Sequence, residues 1–236
     1  MSELAGQTVV VVGASSGIGL ATSKEAASRG ANLIMIGRAQ AKLHKAAEEV
    51  GGSVQTVAAD MLDQEAVELA IASIGAIDHI VLAAVTEELR GAGKIVDVTR
   101  AELEHSFNKL RGYVNFTRAA VAQMKERGSI TLLSGAGAIK APLGSSLLSA
   151  ANASIASFGR AISLELAPIR VNVVMPGPVD TPLHGAGRER VKAWTESLPA
   201  RHFGQPVDIA RAIVFLLTNP YMTGQTLIID GGYVAT

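Results

Sequence analysis

Short apolar runs rich in Val and Ile recur along the chain: Thr8 to Val12, Asn32 to Ile36, Val54 to Ala58, His79 to Ala83, Ser129 to Leu133, Arg170 to Val174 and Thr226 to Ile229. Runs this short that are apolar throughout, rather than alternating, predict strands buried on both faces, as in a parallel sheet. Between them lie longer segments with apolar positions at helical spacing, including Ile18 to Ser28, Gln40 to Val50, Gln64 to Ile74 and Ser149 to Leu166. Strand-helix alternation of this kind predicts an α/β fold, a doubly wound sheet with helices on both faces. No linker, low-complexity segment or longer repeat interrupts it, so residues 1–236 are expected to form one domain. One stretch breaks the rhythm. Residues 181–198, with Pro182, Gly185, Gly187 and mixed charge, predict a lid-like insertion with a short helix at the carboxyl ends of the strands, the edge where open α/β sheets bind ligands.

Composition narrows the partners. The 236 residues are 48% apolar, enough for a substantial core, and 21 Lys plus Arg balance 21 Asp plus Glu. A balanced charge creates no overall field that would draw the chain to nucleic acid or an anionic membrane. The absence of cysteine rules out disulfides and thiolate metal sites, and His44, His79, His105, His184 and His202 show no metal-ligand spacing, so no metal site is expected. The Met1-Ser2-Glu3-Leu4 start lacks a basic region followed by an apolar one, and no apolar run approaches a membrane span. These features predict a soluble cytoplasmic protein whose partners are a small-molecule substrate and copies of itself.

Candidate chemistry begins directly after the first strand, at Gly13-Ala14-Ser15-Ser16-Gly17-Ile18-Gly19. Glycines here permit a tight turn and close approach of backbone amides to a pyrophosphate, which the following helix N-terminus favours. About twenty residues on, a dinucleotide fold that prefers NAD carries a carboxylate for the ribose hydroxyls. This chain has Gly37-Arg38 there, and a guanidinium can grip a 2′-phosphate that an acid would repel. Arg38 therefore points to NADP(H) over NAD(H), the alternative being a solvated loop arginine. Asp60, followed by Met61, ends the third strand and can accept from an adenine amino group; equally it can cap the helix starting near Asp63.

From Gly6 to Gly232 the chain resembles the short-chain dehydrogenase/reductase family. The matching residues are the Gly13/Gly17/Gly19 turn, Asn108 in Asn108-Lys109-Leu110-Arg111-Gly112, Arg170-Val171-Asn172, Pro176-Gly177, Thr181 and the Thr223-Gly224-Gln225-Thr226 to Asp230-Gly231-Gly232 end. The resemblance implies a seven-stranded Rossmann sheet and a nicotinamide cofactor bordered by Pro176, Gly177 and Thr181. It also implies a homodimer or homotetramer joined through helices around 100–124 and 149–166.

Where the family carries catalytic Ser, Tyr and Lys, flanking similarity places Gly135, Leu148 and Asn152, and Leu82-Ala83-Ala84-Val85 replaces its Asn-Asn-Ala-Gly. Leucine cannot titrate or donate a hydrogen bond, and asparagine can hold a ribose hydroxyl but carries no charge. Two functions follow. One is an NADP(H)-dependent oxidoreductase of a small carbonyl or alcohol, an atypical branch with a non-standard proton donor; the other is a catalytically inactive NADP(H) sensor or partner subunit. Among substitute donors, Ser134 is expected to point to the opposite strand face. Lys109 is expected on a solvated or interface face with His105 and Tyr113, His184 in an exposed loop, and at least one of Ser145, Ser146 and Ser149 in a helix cap.

Overall fold

The computed structural model describes residues 3–85 and 93–236, so the reading of the Met1-Ser2-Glu3-Leu4 start falls partly outside them. Among the described residues there are seven strands: β1 (Thr8–Val12), β2 (Asn32–Gly37), β3 (Val54–Ala58), β4 (Ile77–Leu82), β5 (Met124–Leu133), β6 (Arg170–Pro176) and β7 (Thr226–Ile229). They form one parallel sheet in the order β3-β2-β1-β4-β5-β6-β7. The described helices are α1 (Gly17–Ser28), α2 (Gln40–Val50), α3 (Gln64–Ala72), α4 (Arg100–Ser106), α5 (Asn108–Val121), α6 (Ser146–Glu165), α7 (Arg188–Thr195) and α8 (Pro206–Thr218). The doubly wound Rossmann-type architecture is as expected.

Strand pleating explains the uninterrupted apolar runs. Val10, Val12, Ile34, Ile36, Ile80 and Leu82 pack against α3, α5 and α6 through Val67, Tyr113, Phe116 and Ile155. Val9, Val11, Leu33 and Met35 face the other layer, where α1, α2 and α8 contribute Ala26, Leu43 and Ile213.

Several expectations change. β5 reaches back to Met124 through the polar Lys125-Glu126-Arg127, pairing Met124 with Ile77 before the register shifts. Charged residues give no apolar signal, so the sequence pattern starts this strand late. The helix after β4 is broken at Phe107 into α4 and α5. α6 begins at Ser146, and its N-cap Ser145 makes no side-chain cap bond, which corrects the expected serine cap. Ser145 has φ −113° and ψ 26°, not the extended conformation that aims a cap oxygen at the first-turn amides. The 181–198 insertion folds as a short 3-10 helix, Pro182–Gly187, followed by α7.

Buried polar groups lock the sheet's ends. Arg170 opens β6 and donates to the carbonyls of Leu216, Leu217 and Met222 at 2.7, 2.7 and 3.2 Å, so it satisfies the otherwise orphan C-terminus of α8. Next to it Asn172 accepts from Gln225 N and donates to Met222 O, fixing the entry of β7. The Arg170-Val171-Asn172 run is thus a structural clamp. On β4, His79 is 5% exposed, with Nδ1 2.8 Å from Ser129 Oγ and Nε2 2.7 Å from Gln7 Oε1. Burial, reinforced by Arg170, pushes its pKa down from 6.5 to about 4.

Two outcomes follow. Arg170→Met strands three carbonyls and is expected to cost about 2–4 kcal/mol, read as a lower urea midpoint with unchanged slope. For His79 the unfolded chain binds more protons between pH 6.5 and about 4, so stability falls as pH falls through that window. A His79→Gln protein should show a flatter acid limb in melting temperature across the same window; an unchanged limb would sink this account.

Candidate functional site

The winding direction of the sheet reverses between β1 and β4, and the crossovers part there to leave a crevice at the strands' carboxyl ends. It encloses about 530 Å³ between the Gly13–Gly19 turn, the ends of β2 and β3, residues 83–85 and Thr181–Leu183. Gly13 has φ +84°, and a Cβ built on it would stand 2.6 Å from the Ala84 backbone. A Cβ on Gly19 would come within 2.1 Å of Gly13 O. No other residue fits either place. Gly17, at φ +55°, lies against Thr181, whose Cγ2 would be 3.3 Å from an added Cβ. The N-cap Ser16 makes no side-chain bond to α1, and the first turn carries no acid, so its amides remain available to an anion in the crevice.

Just beyond the carboxyl end of β2, Arg38 is exposed and lines the crevice together with Lys42, the third residue of α2. The start of α2 has neither a side-chain cap nor an acid in its first turn. Two cations and a helix N-terminus therefore share one corner. Lys42 escapes a strand-end motif reading, although a second cation four residues after Arg38 is a visible signal. Asp60 stands in the crevice wall with Oδ1 accepting from Leu62 N at 3.0 Å; the cap of α3 is Asp63, which accepts from Ala66 N at 3.0 Å. Met61 is 5% exposed and lies against Gly112, where a Cβ would come within 2.5 Å of its Cγ.

The crevice brings together Gly13, Ser15, Ser16, Gly17, Ile18, Gly19, Arg38, Asp60, Met61 and Thr181. Asn108, Gly135, Leu148, Asn152, Pro176 and Gly177 stand outside its lining. Beyond Leu133, at the end of β5, Ser134 Oγ donates to the Asn152 carbonyl at 2.7 Å. Ser134 thus turns toward α6 and not to the opposite strand face expected of it, because β5 ends at Leu133 and strand alternation no longer applies. Leu148 and Asn152 lie one turn apart on α6, and Asn152 is 6% exposed with its Nδ2 3.1 Å from a Cβ built on Gly135. No described residue hydrogen-bonds the Asn152 carboxamide. Asn108 instead spends its Oδ1 on Arg111 of its own helix, at 3.2 Å.

Lys109 corrects a sequence expectation. It is 3% exposed rather than solvated, and its Nζ donates to Ser134 O at 3.3 Å and lies 5.7 Å from the centre of the Tyr113 ring. Burial alone pushes its pKa down from 10.5 to about 7. Tyr113 is fully buried beside it, its hydroxyl donating toward Leu133 O and Ala84 O, which ties the ends of β5 and β4 together. His184 is also not the free loop histidine expected, since Nε2 lies 2.8 Å from Val179 O and the ring packs against Phe203. Arg188 binds Asp180 through two contacts of 2.6 and 2.5 Å, and Trp194 meets Tyr233 edge-on, so the insertion is anchored at both ends.

Comparisons with known proteins agree with this architecture. A family model described as Enoyl-(Acyl carrier protein) reductase matches residues 13–234. The chain is 32% identical to carbonyl reductase family member 4 of Danio rerio, over 98% of each chain. A solved short chain dehydrogenase/reductase family protein superposes with a TM-score of 0.89 at 30% identity, covering 99% of this chain and 100% of that one. A blue fluorescent protein from a metagenomic library, solved in complex with NADPH, gives 0.87 at 30% identity, with 98% and 99% covered. By its glycine turn, its sheet order and the near full-length match, the chain belongs to the short-chain dehydrogenase/reductase family.

Proposed function

We propose that this protein is an NADPH-dependent oxidoreductase of a small carbonyl or alcohol whose proton donor is not a tyrosine. The observation that carries the cofactor preference is the corner holding Arg38, Lys42 and the uncapped start of α2, with no carboxylate at the end of β2. Such a corner favours a 2′-phosphate and offers nothing to a 2′-hydroxyl that needs an acceptor. The amides from Ser15 to Gly19 would hold the pyrophosphate, Asp60 and Met61 the adenine, and Asn152, Pro176, Gly177 and Thr181 the nicotinamide end. A reduced nicotinamide supplies the electron pair and hydrogen for a carbonyl carbon. The chain's part is to orient the substrate, exclude water beneath the insertion and provide a proton.

A homodimer or homotetramer through α4, α5 and α6 fits the exposed Leu103 and Leu164 on those helices. A second reading is favoured by the absence of any ionisable side chain at positions 135, 148 and 152: a nucleotide-binding sensor or partner subunit without turnover.

NADPH consumption across a panel of small aldehydes and ketones separates the two, with Gly17→Asp as the control that abolishes binding by strain and by charge at the pyrophosphate. Turnover above that control supports the enzyme; tight binding without turnover supports the sensor. Arg38→Asp should weaken NADPH by about 10- to 100-fold while sparing or improving NADH, measured by fluorescence titration. Equal loss for both nucleotides would contradict the 2′-phosphate assignment.

A further inference from the structure

We infer that Lys109 is the group that gives its proton to the substrate oxygen, an inference that rests on the oxidoreductase reading above. Two N–H donors from different elements converge on the end of β5. Lys109 Nζ comes from α5 to Ser134 O, and the Asn152 carboxamide comes from α6 to the space that a side chain at Gly135 would fill. Ser134 joins them, its carbonyl accepting from Lys109 and its hydroxyl donating to the Asn152 backbone.

Neither donor is explained by packing. A buried ammonium without a carboxylate is costly, and the Ser134 carbonyl at 3.3 Å with the Tyr113 ring at 5.7 Å is weak compensation for a group with three donors. An apolar side chain would fill the same place beside Tyr113 and Phe116 without that cost. The carboxamide of Asn152, a residue only 6% exposed, likewise has no described hydrogen-bond partner. Gly135 and Leu148 offer no proton, and His184 is engaged with Val179 and Phe203.

The roles divide by chemistry. The Asn152 amide can hydrogen-bond the carbonyl oxygen but cannot lose a proton. Lys109 can: one ammonium N–H bond breaks, the O–H bond of the alcohol forms, the lone pair stays on Nζ, and solvent reprotonates the amine. The oxygen must lie within hydrogen-bond reach of Nζ or one water away. The groups placed at Nζ are the Tyr113 ring on its own helix and the Ser134 carbonyl at the end of β5, neither of them charged at neutral pH. Burial is the sole cause of its lowered pKa of about 7, so reduction should slow and oxidation quicken as pH rises through that value.

The test compares full-length wild type with Lys109→Met and adds NMR of the lysine side-chain resonances. Expected are a wild-type resonance titrating near 7 that the variant lacks and a kcat lower by about 10²–10⁴. NADPH binding should be unchanged, with a melting temperature equal to or above wild type and the gain largest below pH 7, where the ammonium must be buried. Wild-type turnover by the variant, or a resonance titrating near the ordinary 10.5, overturns Lys109 as donor and leaves the oxidoreductase reading intact. A variant that melts lower and no longer binds NADPH marks a structural amine and overturns it too. If wild type binds NADPH but reduces no carbonyl, the oxidoreductase reading falls, and this inference with it.

Discussion

Three pieces of backbone meet at the carboxyl end of β1, and there is no room between them for a single extra carbon. Ala84, leaving β4, lies 2.6 Å from where a Cβ of Gly13 would be, and Gly13 O would be 2.1 Å from one on Gly19. Because β1 and β4 are neighbours in register from Val9/His79 to Val12/Leu82, the approach holds the two strand ends level. The chain then leaves β1 directly into α1, and the crevice opens where the crossovers separate. A side chain at Gly13 or Gly19 would push α1 away from the sheet and remove the amides that face an anion. The same three points thus set sheet register, helix entry and the shape of the site.

Behind the stretch of crevice wall formed by Ala84 and Leu133, the chain accepts an unfavourable arrangement that the core does not require. Tyr113 fastens β4 to β5 by donating toward Ala84 O and Leu133 O, and one turn earlier Lys109 is buried without a countercharge. Elsewhere in the described core, ionisable groups are matched: Arg170 faces three carbonyls, and His79 sits between Ser129 and Gln7. The contrast matters, since a matched buried group is explained by the fold alone, whereas an unmatched one at a ligand edge is the kind of strain that function sustains.

The layered fold was legible because burial on both faces leaves a signal in every strand, and boundaries slipped where that signal stops. Lys125-Glu126-Arg127 pair as strand with polar side chains, so their backbone bonds are invisible to an apolar pattern. The placement of the glycine turn and of Arg38 at the crevice was legible because it is local, set within one strand, one turn and one helix start. The far end is built from α5, the end of β5 and α6, which meet only after folding, and sequence neighbours say little about them. Asn108 illustrates this. Its residue type suggests the site, but its side chain turns to Arg111 on the same helix.

Lys109 was nevertheless encoded. Lys109, Tyr113, Phe116 and Ala120 follow one another at spacings of four, three and four, the period of a buried helical face, and all four are buried. A residue's charge suggests the solvent, while its phase on the helix suggests the core; phase prevailed, because α5 has one face to give the sheet and Tyr113 and Phe116 fix which one. A lysine long enough to run along that interface can bring its amine to the strand's carboxyl edge, where a shorter side chain at the same phase would end among apolar neighbours. Where local polarity and helical phase disagree within a ligand-facing layer, the residue that loses its solvent is the one whose chemistry the site has to account for.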